Sequence, residues 1–366
     1  MKKNIRICIV IGTRPEIIKM SPVIKECKKR KLDYFVIHTG QHYSYNMDSL
    51  FMKEFGLPKA KYNLAVGSAS HAVQTARILE GIETILLKEK PDVVLVQGDT
   101  NSVLAGALAA SKLNIRVGHI EAGLRSNDRT MPEETNRVIT DHISDFLFTP
   151  TSFSQKLLES EGIQKGVYNV GNTVVDVVFE NIEHAKKIST VLEVNNLISK
   201  KYILVTSHRA ENVDNKIELK NIIEGISKIQ KYSGLKIVWP MHPRTLSNIK
   251  KFKLAKMLSA ISNTSVIEPV GYFDSLVLQT FAKVVLTDSG GLQEESCIVG
   301  TPCITLRANT ERPESVLVGA NILTGTDSAA MLRAYRRCSS ADGKWKNPFG
   351  DGNSAKRIID VLLKRI

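Results

Sequence analysis

The residues with the clearest chemical potential follow a short apolar run late in the chain. The run VVLT at 284–287 reads as a buried strand, and it is followed by DSGG at 288–291 and then by a helical pattern. A helix that begins at such a turn presents free backbone N–H groups and a positive end to an anion. The carboxylates behind the turn, Glu294 and Glu295, could accept the hydroxyls of a sugar, and Arg307 and Arg312 add cationic charge. The segment predicts a nucleotide-diphosphate site, although an ordinary capped helix start has the same residues.

Three carboxylates in the first half of the chain are candidates for acid–base chemistry. Asp99 and Glu121 follow predicted strands, and Glu133 lies in a proline-led helix start. Carboxylates that converge on one site divide acid and base roles because their mutual repulsion separates their pKa values. Glu133 taken alone is better explained as a residue that complements a helix dipole than as a catalytic group.

A histidine could share this chemistry, because imidazole exchanges protons near neutral pH. His208 follows a predicted strand of the second half. Position alone does not single it out, since four other histidines also lie near strand ends: His38, His42, His119 and His242.

Arg14 and Lys19 are candidate phosphate ligands after the first predicted strand. Pro15 suits the first turn of a helix and leaves both cations near the end of that strand. The alternative for Arg14 is that it only fixes the loop. The chain has no G-x-G-x-x-G after its first strand and no G-x-x-x-x-G-K-[ST], which disfavours nicotinamide and ATP chemistry. We predict neither a cofactor nor a metal.

Composition narrows the class of protein. Fifty basic and 37 acidic residues give a net charge of +13, which suits anionic ligands and raises the question of nucleic acid. The basic residues are spread over predicted helix faces such as 25–31 and 247–256, so we predict no nucleic-acid partner. No apolar run reaches the length of a membrane span, and a cytoplasmic protein without membrane contact is expected. Five scattered cysteines indicate neither disulfides nor zinc, and Cys8 and Cys303 are expected to be buried.

The positions of these residues depend on elements that alternate along the whole chain. Short apolar runs alternate with amphipathic segments such as 70–89, as in βαβ units with parallel sheets. The predicted strands are 5–11, 34–38, 93–97, 116–120, 146–149 and 167–170, then 202–206, 236–239, 265–268, 284–287 and 303–305.

Two such series predict an α/β protein of two Rossmann-like, doubly wound domains, at 1–170 and 171–352, with a final helix at 353–366 that packs on the first. Ligands of open parallel sheets bind beyond the carboxyl ends of the strands. Five polar segments follow predicted strands: 12–16, 98–100, 121–125, 207–212 and 288–291. We therefore expect the two domains to face one another across a cleft lined from both sides.

Nine short motifs occur in a fixed order: GTRPE at 12–16, TGQH at 39–42, QGDT at 97–100, HIEAGLR at 119–125, PEE at 132–134, GNT at 171–173, SHR at 207–209, DSGGLQEE at 288–295 and TERPE at 310–314. Together they resemble the non-hydrolysing UDP-N-acetylglucosamine 2-epimerases. The match extends from about residue 5 to 352, and the combination is highly specific.

The resemblance implies the glycosyltransferase-B architecture and interconversion of UDP-GlcNAc and UDP-ManNAc without a cofactor. It also implies a homodimer and a role in surface polysaccharide biosynthesis. The C2 proton of the sugar is not next to a carbonyl, so simple removal and return of that proton is unattractive. Elimination of UDP to 2-acetamidoglucal, followed by re-addition, provides a route.

The resemblance also implies roles for individual residues. The catalytic group is Asp99, Glu121, Glu133 and His208. The UDP-sugar ligands are Arg14, Lys19, Phe273, Ser289, Gly290, Gly291, Glu295 and Arg312. A second, allosteric UDP-GlcNAc would involve Gln41, His42, Arg209 and His242. Our hypothesis is that Asp99 and Glu121 act at C2 while His208 assists where UDP leaves; which carboxylate removes the proton stays open.

The chain departs from the bacterial pattern at two places. Tyr43 replaces the usual arginine after the TGQH motif, which puts the allosteric site in doubt. Ser275 stands where many members have a phenylalanine near the uracil, so that Phe273 or backbone groups are the alternatives.

Four other functions are weighed against the epimerase. A hydrolysing epimerase shares most motifs and would release free ManNAc and UDP. A glycosyltransferase would use the nucleotide motifs but leaves the carboxylates of the first domain unexplained. A nucleic-acid-binding protein has only the charge in its favour, and a sugar-nucleotide sensor would not need the acid–base residues.

Overall fold

The computed structural model describes residues 5–41 and 51–366, which form two compact units. The first unit comprises Met1–Val177 and Phe349–Ile366, and the second comprises Val178–Pro348. Each unit has a parallel sheet flanked by helices, so the predicted α/β class with two doubly wound domains is confirmed. The chain passes from the first unit to the second inside helix Thr173–Ile188 and returns between Pro348 and Phe349, whereas the sequence prediction put these boundaries at 170/171 and 352/353.

The sheet of the first unit has the strand order β3-β2-β1-β4-β5-β6-β7. Strand β1 pairs in parallel with β2 on one side and with β4 on the other, where Ile7 is opposite Val93. The order of strands reverses between β1 and β4, which makes their carboxyl ends a topological switch point. The strands are β1 Arg6–Ile11, β2 Asp33–His38, β3 Tyr62–Asn63, β4 Val93–Gln97, β5 Arg116–Ile120, β6 Phe146–Thr149 and β7 Val167–Asn169.

The second unit repeats the design with the order β10-β9-β8-β11-β12-β13. Its switch point lies between β8 and β11, where Thr206 is opposite Thr287. The strands are β8 Tyr202–Thr206, β9 Lys236–Pro240, β10 Thr264–Ile267, β11 Val284–Thr287, β12 Cys303–Thr305 and β13 Asn321–Leu323.

Helices cover both faces of each sheet, which is why the central strands are apolar along their whole length. In the first unit the helices are Arg14–Lys29, His71–Glu89, Asn101–Lys112, Pro132–Ile143, Ser152–Ser160 and Ser354–Arg365. In the second they are Val191–Val194, Ala210–Val213, Lys216–Ser233, Pro243–Lys251, Ala255–Ser259, Tyr272–Phe281, Gly290–Ile298, Pro313–Leu317 and Ser328–Cys338. Residues 51–54 are also helical.

The cores of both units consist mainly of strand Val and Ile packed on helix residues. Cys8 and Cys303 are fully buried in them, as predicted, and all five cysteines are free thiols. Among the helices of the described residues, none is long and apolar enough to cross a membrane.

The last helix, Ser354–Arg365, belongs to the first unit and packs on helix Arg14–Lys29. Arg30 Nη1 donates to Asp360 at 2.6 Å. Asp176 accepts the backbone N–H of Ala355 at 2.9 Å, which satisfies an otherwise unpaired donor at the helix start.

Candidate active site

Three strand ends of the first unit bring the predicted catalytic and phosphate-binding residues together. Arg14 follows β1, Asp99 follows β4 and Glu121 follows β5. Because β4 and β5 are neighbours, the loops that carry the two carboxylates are adjacent: Gly98 N donates to Ile120 O at 3.1 Å. Adjacent carboxyl ends of parallel strands are where ligands of open α/β sheets bind, so these residues remain candidates for the site.

Glu121 is the most constrained of the carboxylates. It is 5% exposed, and Lys19 Nζ lies 2.5 Å from its Oε1. Gln97 Nε2 also donates to it, as does Asn172 Nδ2 at 3.2 Å. Its φ of +68° is a left-handed conformation that costs a non-glycine residue about 1 kcal/mol. Such strain in a residue at a strand end is characteristic of functional positions.

Asp99 is held from helix Pro132–Ile143. Arg137 donates to its Oδ2 from Nε at 3.0 Å and from Nη2 at 2.5 Å, and Asn136 Nδ2 donates to its backbone carbonyl at 2.9 Å. The side chain remains 31% exposed, in contrast to buried Glu121. The two carboxylates thus have different environments, which is the condition for different protonation roles.

Glu133 and its neighbour Glu134 also differ in burial, as Asp99 and Glu121 do. Buried Glu134 accepts from Ser126 N and Asn127 N, each at 2.9 Å, and from Arg137 Nη1 at 2.6 Å. Burial alone would raise the pKa of Glu134, but these donors hold it below its usual value. Glu133, one position earlier in the same helix, is half-buried.

Glu16 joins two of the loops and was not among the predicted site residues. It accepts from the backbone N–H of Gly12, from Thr13 N at 3.2 Å and from the Thr100 hydroxyl. Complete burial raises the pKa of Glu16 to about 7. The T-x-x-E spacing of Thr13 and Glu16 is a capping box, and this signal could have identified the contact from sequence.

In the second unit, Asp288 organises the loop after β8. It is fully buried and accepts from Ser207 Oγ at 2.8 Å, Arg209 N at 3.1 Å and Asn212 Nδ2 at 3.1 Å. His208 Nδ1 lies 3.3 Å from Asp288 Oδ1, while its side chain is 45% exposed. A carboxylate at Nδ1 fixes the ring and leaves Nε2 available for proton transfer.

His242 lies beside His208, with 5.9 Å between the ring centroids. Its Nδ1 accepts from Arg244 N at 3.2 Å, so this imidazole caps helix Pro243–Lys251. Burial, and then the nearby His208, lower the pKa of His242.

The DSGG segment forms the helix start that the sequence predicted. Ser289 is the N-cap of helix Gly290–Ile298, and its N–H donates to Thr287 Oγ1 at 3.0 Å. Arg312 lies against this end, since a Cβ on Gly290 would be 3.7 Å from Arg312 Cζ. Arg312 Nε also donates to Glu294 at 2.9 Å. Further along, Glu295 accepts from Gln279 Nε2 at 2.7 Å.

A pocket of about 190 Å³ adjoins this helix. Apolar groups of Pro240, Val270 and Leu278 line it together with His208 and Ser275. Phe273 is not among its lining residues; it is buried and packs edge-on against His184, with 5.5 Å between centroids. Ser275, rather than Phe273, therefore faces this space.

Comparison with known proteins identifies the family of the chain. The sequence model described as UDP-N-acetylglucosamine 2-epimerase matches residues 25–363. The chain belongs to this family of UDP-N-acetylglucosamine 2-epimerases. The predicted family and enzyme class are confirmed.

Individual members support the assignment. The UDP-N-acetylglucosamine 2-epimerase of Methanocaldococcus jannaschii is 52% identical, with 98% of each chain covered. A crystal structure of that protein, in complex with UDP-GlcNAc and UDP, superimposes with a TM-score of 0.91 and covers 98% of this chain and all of the other. A UDP-2,3-diacetamido-2,3-dideoxy-D-glucuronate 2-epimerase of Pseudomonas aeruginosa is 39% identical, over 98% of this chain and 99% of that protein.

The residues predicted for a second UDP-GlcNAc lie apart in the chain. Gln41 Oε1 accepts from Ser102 Oγ at 2.8 Å in the first unit, whereas Arg209 and His242 belong to the second. His42 lies outside the described residues, as does Tyr43. Within the described part of the chain, no group of three His, Cys, Asp or Glu is arranged to hold a metal ion.

Proposed function

We propose that this protein interconverts UDP-N-acetylglucosamine and UDP-N-acetylmannosamine by inversion at C2. The observation that carries the proposal is the pair of carboxylates on neighbouring strand ends, buried Glu121 and half-exposed Asp99. Each is paired with a cation, and each has a different environment. Two such groups suit removal of a proton from one face of C2 and its return to the other.

The reaction proceeds by elimination and addition. One carboxylate takes the C2 proton, the C–H electrons form the C1=C2 double bond, and the C1–O bond to UDP breaks with its electrons on the diphosphate. The intermediate is 2-acetamidoglucal. A diphosphate oxygen of UDP then adds to C1, while C2 gains a proton on the opposite face. No redox cofactor is needed, because the oxidation level of the sugar is restored.

We assign UDP to the second unit. The N-terminus of helix Gly290–Ile298 and the adjacent Arg312 provide positive potential for the diphosphate. Glu295 would accept ribose hydroxyls, and the pocket beside Ser275 would take the uracil. His208, whose Nδ1 faces Asp288, would donate a proton to the departing diphosphate from Nε2.

The assignment of the sugar rests on the relatives. The 52% identical protein is named for UDP-N-acetylglucosamine, and the 39% identical protein is named for a diacetamido glucuronate. The higher identity favours UDP-GlcNAc as the substrate of this chain. Competition between the two sugar nucleotides at equal concentration measures this preference directly.

Product analysis without added cofactor tests the proposal. Purified protein is incubated with UDP-GlcNAc, and the products are separated by anion exchange and identified by proton NMR. UDP-ManNAc supports the proposal. Free ManNAc with UDP would indicate the hydrolysing reaction instead, and unchanged UDP-GlcNAc at high enzyme concentration would contradict an epimerase of this substrate.

We also propose a homodimer, on family resemblance alone. Sedimentation velocity at micromolar concentration should give twice the 40.6 kDa of one chain. A single species with the mass of one chain would contradict it.

A further inference from the structure

A buried histidine–aspartate pair lies behind the two carboxylates of the first unit. His119, in strand β5, and Asp141, in helix Pro132–Ile143, have side chains that are 1% exposed or less. His119 Nδ1 lies 2.6 Å from Asp141 Oδ1. None of the steps proposed above uses either residue.

The second carboxylate oxygen of Asp141 holds the chain segment that follows Glu121. Asp141 Oδ2 accepts from Gly123 N at 3.1 Å and from Arg125 Nη1 at 2.7 Å. Glu121 is therefore flanked, two residues before and two residues after, by groups bonded to the same carboxylate. A left-handed conformation at a non-glycine residue persists only where its surroundings impose it, and these bonds supply that restraint.

The opposite edge of the imidazole reaches the loop of Asp99. His119 Nε2 lies 2.8 Å from the carbonyl oxygen of Gly98, the residue before Asp99. Each ring nitrogen faces an acceptor oxygen, so both bonds form when His119 carries both ring hydrogens. One chain of contacts thus connects Asp141 to both reactive loops.

Charge balance favours this arrangement. Burial alone would raise the pKa of Asp141, but His119 and Arg125 hold it below its usual value, so Asp141 stays ionised. Glu161 pairs with Arg125 on the far side, at 2.6 Å. Glu161 is partly exposed, and its two carboxylate oxygens accept from Arg125 Nε and Nη2.

We propose that Asp141 is a positioning residue for the epimerisation, which through His119 and Gly123 sets the separation of Asp99 and Glu121. This inference rests on the function proposed above. Asp141 acts through other groups, because it is fully buried behind the loops. A displacement of an acid–base group by about 1 Å from its reactive position is sufficient to lower a rate by roughly a hundredfold.

Three variants test it. D141A removes every bond of the carboxylate. D141N keeps an oxygen for Gly123 N–H and offers an N–H donor to Nδ1 of a neutral imidazole, so the geometry is retained. H119N keeps a donor for Asp141 but is too short to reach Gly98 O. The control is E161Q, which perturbs the same network beyond Arg125.

The readout is the separation of kcat from KM. For D141A and H119N we expect kcat to fall about a hundredfold, with KM for UDP-GlcNAc within about twofold of wild type. The kcat of D141N should be about tenfold higher than that of D141A, and the kcat of E161Q should match that of wild type. H119N keeps the test decisive if D141A does not fold.

Two results would overturn the inference: wild-type kcat in H119N or D141A, or losses of kcat, KM and melting temperature in parallel, as for general destabilisation. An inactive wild-type protein would contradict the proposed function as well, whereas active wild type with fully active H119N contradicts this inference alone.

Discussion

Lys19 Nζ lies 2.5 Å from Glu121 Oε1, and the two side chains are 11% and 4% exposed. The sequence assigned Lys19 to the substrate phosphates and Glu121 to catalysis, whereas the structure pairs them with each other. An ammonium group at this distance favours the ionised carboxylate, which is the form that removes a proton.

Breaking the Lys19–Glu121 pair should lower both the stability and the activity of the protein. In K19M the buried carboxylate loses its neighbouring positive charge, and we expect the free energy of unfolding to fall by about 3 kcal/mol. Urea denaturation measures it. K29M, at an exposed position of the same helix, should change stability by less than about 0.5 kcal/mol. Equal stability of K19M and K29M would show that the pair is not formed in solution.

The two carboxylates should affect chemistry rather than nucleotide binding. We expect E121Q and D99N each to lower kcat by roughly a thousandfold, in the range for loss of an acid–base group. UDP affinity, measured by calorimetry, should stay within about twofold, since we assign UDP to the second unit. E80Q, on an exposed face of helix His71–Glu89, serves as control. Undiminished exchange of the C2 proton in either variant would refute its assignment.

Glu16 predicts a specific pH dependence of stability. Burial raises its pKa to about 7 in the folded protein, above 4.5 for a free carboxyl group. The folded state therefore gains stability from the protonated form, fully present below pH 4.5 and lost as the pH rises through 7. As the pH rises across this range, the free energy of unfolding loses a contribution on the order of 3 kcal/mol.

The variant E16Q isolates this effect, because it stays neutral and can still accept from Gly12 N–H. The difference in unfolding free energy between wild type and E16Q should shift in favour of E16Q from pH 5 to pH 8. Parallel stability curves over this range would contradict an elevated pKa.

Arg312 should contribute to UDP affinity. Its guanidinium adjoins the start of helix Gly290–Ile298, so R312M should weaken UDP binding by at least about tenfold. Because R312M also leaves Glu294 without this partner, the matched variant is R312M/E294Q, which should restore thermal stability but not affinity. Normal UDP affinity in R312M would show that Arg312 does not contribute to UDP binding.

Much of the fold follows from local patterns. The predicted strands 93–97, 116–120 and 284–287 coincide with β4, β5 and β11. Strands β4 and β11 are apolar almost to their ends, as is typical of central strands of a parallel sheet. The edge strands β3 and β13 were missed. They have two and three residues, and their pairing with a neighbour, rather than their own composition, makes them strands.

The site was predicted in outline only. Strand-end position predicted that the loops of Asp99 and Glu121 are neighbours, since carboxyl ends of parallel strands share one edge, and the two loops are adjacent in the structure. Their partners could not be read from the sequence. Arg137 is 38 residues from Asp99, and Lys19 is 102 residues from Glu121, so these contacts depend on strand order and helix rotation. Alternation of strands and helices specifies neither.

The most direct test of the central claim is proton NMR of UDP-GlcNAc with the enzyme in heavy water, without cofactor. Removal of the C2 proton by a side chain that exchanges with solvent predicts UDP-ManNAc with deuterium at C2, and progressive deuteration of recovered UDP-GlcNAc at the same carbon. UDP-ManNAc that retains protium at C2 would contradict the assigned acid–base chemistry, and formation of no UDP-ManNAc would contradict the epimerase itself.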